Sequence, residues 1–492
     1  MMKKTIYLSL LLIFYSCNQS SKLELVLQEA GENRAELEFV LEHYKGDSLK
    51  YKAACFLIEN MPDKFSIIPE NSNDEYKKFL SNIPKEDHIS WEWEYSVIAQ
   101  KLDSISIYQL PMERKEKDIL NISSEYLIDN IEEAFKVWNP EYYSFEDFCN
   151  YILPYRAGNE PLSYWRKDAK KIYGYLMDSV FTPKELAFRI MQSKKVLYNV
   201  GMTKYPYPRT YQEMLDSQWG TCEDMADFMI LTLRAIGIPC TMDYVPAWAN
   251  RNSSHCWNVV KNINGKWEDV GYNMDGANSV VYKVSKIYRR KFNRYINNDV
   301  TGEYNMPQST LQIPLSEVQQ GEYAMLATFN NKGWVPVAYA KMDKNGVTFR
   351  NLGRGILWDG NETKSCMNEG KGIVYLPLSK EKTPLSYPVI IYEDGTEEYL
   401  DIDMEKTETV IIHQKLPVYG IDTHSDNGIV EGHKYELLYW NNKWESLSRQ
   451  VAEADSLIFQ NVPEGALLLL HDYNQKGAGR IFTYDAGTQI WW

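Results

Sequence analysis

The sequence predicts a multidomain α+β protein, with an α-rich N-terminal region, a mixed α+β core and two C-terminal β-sandwich-like repeats. Three observations carry this reading. Helix caps and helix-period apolar faces punctuate residues 23 to 200. Beyond residue 300 the chain turns to short runs of Val, Ile, Tyr, Phe and Trp, broken by Asn-Asn-Lys, Asp-Lys-Asn-Gly, Glu-Asp-Gly and Pro-Glu-Gly, which is strand-and-turn punctuation. Within that half, Trp334 to Leu357 aligns without a gap on Trp444 to Leu467, an offset of 110 residues. The 492 residues suffice for about three domains of ~150 residues. An apolar share of 44% excludes collagen-like, low-complexity and fully disordered chains. The segments assigned are 1–16, 17–155, 156–300, 301–410 and 411–492.

Segment 1–16 reads as an export signal: Met-Met-Lys-Lys, the uncharged run Thr5 to Tyr15, then Ser16 before Cys17. The apolar run is about half of the ~20 residues that span a bilayer. It resembles a bacterial lipoprotein signal, with Phe14 where that family prefers Leu. The resemblance implies a diacylated Cys17 as the mature N-terminus, a polar tether from Asn18 to Lys22, and a body held by lipid at a bacterial cell envelope, on the outer membrane and facing the periplasm or the surface. No later run is long and apolar enough to be a second membrane segment.

With 67 acidic against 53 basic side chains and a net charge of -14, the chain repels phosphate backbones, and nucleic acid is excluded as a partner. Export permits disulfides, but Cys55, Cys149, Cys222, Cys240, Cys256 and Cys366 show no framework spacing. Cys55 and Cys149 lie on apolar helical patterns and read as small buried hydrophobes. No CxxC pair or Cys/His cluster has zinc spacing, so neither a metal nor another cofactor is expected.

In the helical region, Asn33-Arg34-Ala35-Glu36 predicts a capped helix running to Gly46. Ser123 precedes apolar residues at 127, 128, 131, 135 and 138, one buried face that Asn139-Pro140 stops. Thr182-Pro183-Lys184-Glu185 combines an N-cap, Pro at N1 and Glu at N3. In the repeats, Val347 to Leu352 matches Leu457 to Val462, and Asn-Asn-Lys precedes each Trp. Two copies of one β-module follow, with tight turns that favour sandwiches over solenoids. The surplus of 36 Tyr and 14 Trp over 16 Phe suits β-rich domains or binding surfaces.

Residues 217 to 275 carry the chemistry. Ser217-Gln218-Trp219-Gly220-Thr221-Cys222-Glu223-Asp224 leads into a helix-period pattern, Met225 to Ile236, ended by Gly237 and Pro239. Thr221 and Asp224 form a capping-box-like pair that places Cys222 in the first helical turn. There the unpaired N–H groups and the positive helix end favour a thiolate. Further on, strand alternation in His255-Cys256-Trp257-Asn258-Val259-Val260 puts His255, Trp257 and Val259 on one face and Cys256 on the other. Asn264-Gly265 turns the chain into Trp267-Glu268-Asp269-Val270, where Asp269 could meet His255 across the hairpin. A nucleophile, a base and an orienting acid thus come from a helix start and two adjacent strands.

This pattern resembles the transglutaminase-like superfamily. The resemblance rests on Gly220-x-Cys222-x-Asp224, on Leu233-Arg234-Ala235-Ile236-Gly237-Ile238-Pro239, on His255-x-Trp257 and on Gly265-x-Trp267. It implies a papain-like α+β core with a Cys-His-Asp triad, Cys222 and His255 being its first members. In the family the acid falls four residues after the strand Trp, where this chain has Gly271; Asp269 is two residues early and Asp275 four late, so the third member is Asp269, Asp275 or absent. Gln218 is the oxyanion candidate, with Trp219 as its alternative or as a packing residue. Cys240 and Cys256 flank one sheet and form either a disulfide or two free thiols. His424-Ser425-Asp426 is a coincidence, because adjacent loop residues cannot stack as a triad.

The expected function is a cysteine-dependent amide or peptide hydrolase, or acyl transferase, acting through a thioester on a peptide, protein or cell-wall glycan substrate. The alternative is an inactive scaffold whose aromatic β-modules bind glycan or peptide at the cell surface.

Overall fold

The computed structural model describes residues 22–70, 75–83, 91–108, 112–177, 181–193, 195–270, 282–293, 298–314, 321–331, 333–355, 368–418, 427–475 and 479–492. The export signal, Cys17, Gly271, Asp275, Cys366 and His424-Ser425-Asp426 lie outside them. The chain divides into two compact units, one of residues 1–243, 256–272 and 290–297, the other of residues 244–255, 273–289 and 298–492. Among the described residues no helix is long and apolar enough to cross a membrane.

The first unit opens on helices whose starts follow their caps. Ser123 Oγ accepts from Tyr126 N at 3.2 Å and begins the helix Ser124–Val137, which buries Tyr126, Leu127, Ile131 and Ala134. Thr182 and Glu185 close a reciprocal capping box on Pro183–Gln192. At Arg34–His43 the outcome differs. A 3₁₀ turn, Gly31–Asn33, runs straight into the helix and leaves Asn33 in the αR region, so its side chain cannot fold back as a cap. Instead Asn33 Nδ2 donates to the carbonyls of Ile119 and Ile122, and Glu36 Oε2 accepts from Ser124 N at 2.7 Å. Cys149 is buried in this helical core and Cys55 packs against its edge, as expected of small apolar groups.

Residues 152 to 157, just past the helix Phe145–Tyr151, run irregularly and are buried, so their carbonyls need donors that no ladder supplies. Three arginines provide them. Arg166 Nη2 donates to Ile152, Leu153 and Pro154, and Arg166 Nη1 to Arg234 O. Arg234 reaches Tyr151 O and Arg156 O. Arg156 grips Asp118 in a two-pronged pair at 2.6 and 2.7 Å. Burial, with Arg234 nearby, pushes Arg166 down to about 9. These contacts tie the helical region to the C-terminal end of the helix Cys222–Ala235, hereafter the cysteine helix. That helix stops where Gly237 N bonds Arg234 O and Ile238 N bonds Leu233 O, a Schellman ending. Beside it the strands run in the order Trp267–Asp269, His255–Lys261, Cys240–Val245.

The second unit contains the repeat, and the match extends to topology. In the first copy Gln308–Ile313 pairs with Val347–Gly353, and a five-stranded antiparallel sheet runs Gly333–Lys341, Tyr323–Asn330, Gly372–Leu378, Val389–Tyr392, Glu397–Tyr399. In the second, Thr407–Ile412 pairs with Leu457–Pro463, and the sheet runs Trp444–Val451, Lys434–Trp440, Leu468–Asp472, Ile481–Asp485, Thr488–Trp491. Both short ladders are bulged, between Ser309/Leu311 and between Glu408/Val410. At each bulge an Asn adopts the left-handed conformation, Asn351 at φ 52° and Asn461 at φ 57°. Each copy closes a core between its two sheets, around Leu326, Phe349 and Tyr375 in the first and Leu437, Phe459 and Phe482 in the second. The outer faces of the five-stranded sheets then share a further core containing Phe329, Leu376, Trp440, Ile481 and Trp492.

Candidate active site

Cys222 is the first residue of the cysteine helix and is half-buried. Thr221 Oγ1 accepts from Asp224 N at 3.2 Å, while Asp224 Oδ2 accepts from Thr221 N at 2.8 Å and from Thr221 Oγ1 at 2.7 Å. The box fixes the first turn and leaves its remaining N–H groups and the positive helix end beside the thiol, where an anion is favoured.

A second clamp holds this turn from outside. Arg209, buried just before the helix Tyr211–Ser217, puts Nη2 2.5 Å from Asp224 Oδ2 and donates through Nη1 to Ser217 Oγ at 2.9 Å and Trp219 O at 2.5 Å. Gly220 sits inside the clamp: a Cβ there would lie 2.8 Å from Asp224 Cβ and 3.2 Å from Arg209 Nη2. The glycine of the Gly220-x-Cys222-x-Asp224 pattern therefore leaves room for the pair that anchors the cap.

Gln218 caps the C-terminus of Tyr211–Ser217 in the left-handed region at φ 59°, with its carbonyl accepting from Leu197 N at 2.7 Å. Trp219 is 6% exposed and packs with Tyr76, Met202 and Tyr207.

On the strand His255–Lys261, residues on one face meet the cysteine helix. Cys256 comes beside Cys222, and the interaction with Cys222, with burial, pushes the Cys256 thiol up. Two residues on, Asn258 Nδ2 donates to Ala226 O at 2.9 Å and also reaches Cys240 Sγ. Cys240 and Cys256 are both free thiols. Asp269 ends its strand opposite Val259 in the hairpin register. Within the second unit His255 stacks on Trp248, ring centroids 5.9 Å apart and planes 20° apart, and Trp248 in turn packs on Tyr282.

One turn along the cysteine helix, Glu223 and Asp227 meet Arg290 at 3.1 and 3.4 Å. Burial, reinforced by Glu160, Glu223 and Asp224, holds the Asp227 carboxyl well above its ordinary range despite Arg290. Arg290 is held in turn by Ala157 O. Arg209, Asn258, Asp227, Arg290 and the place of Cys256 beside Cys222 were not visible in the sequence. Their partners are 8 or more residues away, beyond one or two helical turns, except that Cys256 adjoins His255, which was the only hint available. Among the described residues there is no cluster of three or more His, Cys, Asp or Glu side chains that could hold a metal ion.

No curated protein matches the chain. The family model of the transglutaminase-like superfamily matches residues 170–271, from within the helix Trp165–Tyr173 to just past the strand Trp267–Asp269. Cys222, His255 and Asp269 all fall inside this span, and the chain carries a transglutaminase-like superfamily domain at residues 170–271.

Proposed function

We propose that this chain is an exported, lipid-anchored, cysteine-dependent amide or peptide hydrolase acting through a thioester. The observation that carries the reading is the placement of Cys222, half-buried at the first position of a helix whose cap is locked by Asp224 and Arg209, inside a transglutaminase-like domain. The Cys222 thiolate adds to a substrate carbonyl, and the oxyanion that forms has Gln218 as its candidate donor. His255 gives its proton to the leaving amine as the C–N bond breaks, which leaves a thioester. His255 then takes a proton from water, hydroxide adds to the thioester, and the C–S bond breaks to give a carboxylate and the free thiol. Asp269 is the provisional group that orients the imidazole. Water is the simpler acceptor because an amine would need a binding site of its own. The substrate class is a peptide, a protein or a cell-wall fragment, met at the envelope of a bacterium by a body tethered through Cys17.

The rival reading, an inert scaffold with aromatic glycan-binding modules, would place the repeat tryptophans at the surface. Trp440, Trp491 and Trp492 are instead at most 7% exposed, and Trp334 and Trp444 pack into the core that the two modules share. The test is turnover of a peptide and cell-wall-fragment library by wild type and Cys222→Ala, with acid quenching to trap an acyl adduct on Cys222. Turnover and adduct in wild type alone are expected, whereas equal turnover, or none in either, removes the hydrolase. Labelled fatty acid should enter wild type and not Cys17→Ser; incorporation into neither removes the anchor.

A further inference from the structure

Asn258 Nδ2 bonds Ala226 O at 2.9 Å; two residues back on the same strand face is Cys256 and one turn back on the helix is Cys222, so the two cysteines are neighbours, and neither is in a disulfide. Cys222 is half-buried at the helix start, and Cys256 is only 8% exposed on the strand behind it. The remaining sheet cysteine, Cys240, is fully buried and within reach of Asn258 rather than engaged with this pair. An oxidant therefore meets Cys222 first, with a second thiol beside it. Neighbouring cysteines on a helix start and the facing strand can reach the ~2 Å of a disulfide by side-chain rotation.

We propose that Cys222 and Cys256 form an oxidation-and-resolution pair: a hydroperoxide oxidises Cys222, and Cys256 closes a reversible Cys222–Cys256 disulfide that masks the nucleophile. The Cys222 thiolate attacks a peroxide oxygen, so an S–O bond forms as the O–O bond breaks. The departing alkoxide, or hydroxide from hydrogen peroxide, takes up a proton and leaves a sulfenic acid. The Cys256 sulfur then attacks the Cys222 sulfur; the S–S bond forms, the S–O bond breaks, and hydroxide leaves as water with the Cys256 proton. Two electrons from the two sulfurs reduce the peroxide, and a dithiol reductant restores both thiols by two exchanges.

The inference rests on Cys222 being the reactive thiol and not on the turnover of any amide. The test treats the full chain with a few equivalents of hydrogen peroxide, then alkylates, digests and weighs the peptides. Wild type is expected to lose two hydrogens, to give a peptide linking residues 222 and 256, and to recover Cys222 labelling with dithiothreitol. Cys256→Ser should instead accumulate dimedone-reactive sulfenic acid and then sulfinic acid at Cys222. Over-oxidation of Cys222 at equal rates in both proteins, or a Cys240–Cys256 link, overturns the proposal. An untouched Cys222 overturns both it and the hydrolase, whereas a 222–256 link without library turnover supports the pair and sinks the hydrolase alone.

Discussion

Arg209 Nη2 lies 2.5 Å from Asp224 Oδ2, with 1% of the arginine side chain and 18% of the aspartate side chain exposed. The same guanidinium bonds Ser217 Oγ and Trp219 O, so one buried cation fixes both the loop that delivers Cys222 and the carboxylate that caps its helix. Removing one partner of such a pair leaves the other charge buried, at a cost of about 3–5 kcal/mol. Arg209→Met should lower the unfolding free energy by that amount and slow alkylation of Cys222 by iodoacetamide. Arg209→Lys keeps a charge but loses the planar fork and should fall between the two. Denaturant titration and alkylation rates of the three proteins decide it; a wild-type midpoint in Arg209→Met would show the pair to be without structural weight.

Gly220 makes a sharper test of the same clamp, because a methyl group there would press on Asp224 Cβ at 2.8 Å and on Val196 Cγ1 at 3.4 Å. Neither is the free end of a flexible chain, and overpacking of this kind costs about 1–3 kcal/mol. Gly220→Ala should destabilise the protein and depress Cys222 alkylation together. Gly265→Ala is the control: its φ of +79° makes the substitution strained, yet nothing lies within 4 Å of the added carbon. It should lower stability by about 1–2 kcal/mol and leave the Cys222 rate alone. Equal rates in both variants would separate Gly220 from the thiol.

Four rings join the two β-modules. Phe329 and Trp334 face each other across one hairpin, Trp440 and Trp444 across the equivalent one. Trp334 meets Trp440 edge to face at 5.4 Å and 73°, and Phe329 meets Trp444 at 5.9 Å and 82°. Edge-to-face pairs of this kind are worth about 0.5–1.5 kcal/mol beyond their burial. Trp440→Ala should cost about 3–5 kcal/mol and shift intrinsic fluorescence to the red. A double-mutant cycle on Trp334→Leu and Trp440→Leu should show coupling of about 0.5–1.5 kcal/mol. Strict additivity would mean the rings pack without mutual preference.

What could be read from the sequence is what closes within a few residues or repeats at a fixed offset. The caps at Ser123, Thr182 and Thr221 form as expected because donor and acceptor are three residues apart. The repeat was legible because Asn351 and Asn461 serve the same bulge in two copies. The expected cap at Asn33 was lost to a 3₁₀ turn and to Ser124, 88 residues from Glu36. Alternation could not say that the outer faces of both five-stranded sheets are covered, so the Trp surplus remained open between binding surface and core. The place of Cys256 beside Cys222 depends on how the strand meets the helix, which no spacing encodes.

Glu436 gives the second β-module a predictable acid limb. It is 6% exposed, and burial alone would raise its carboxyl. Ser446, Tyr473 and Arg449 outweigh burial and hold the group down to about 2; Arg449 Nε donates to Oε1 at 2.8 Å and Tyr473 Oη to Oε2 at 2.5 Å. Between that value and the ~4.3 of an unfolded Glu, the unfolded chain binds more protons than the folded one, so stability must rise with pH through the window. The contribution is complete above about pH 4.3 and is lost as the pH falls toward 2. At ~1.4 kcal/mol per pKa unit its ceiling is about 3 kcal/mol, and the half-exposed Arg449 puts the working figure nearer 2. Glu436→Gln should therefore be about 2 kcal/mol less stable than wild type at pH 6–7, and the gap should narrow steadily below pH 4. Urea midpoints at pH 7, 5 and 3 check it: a gap that stays constant would assign the loss to altered packing rather than to the carboxylate charge.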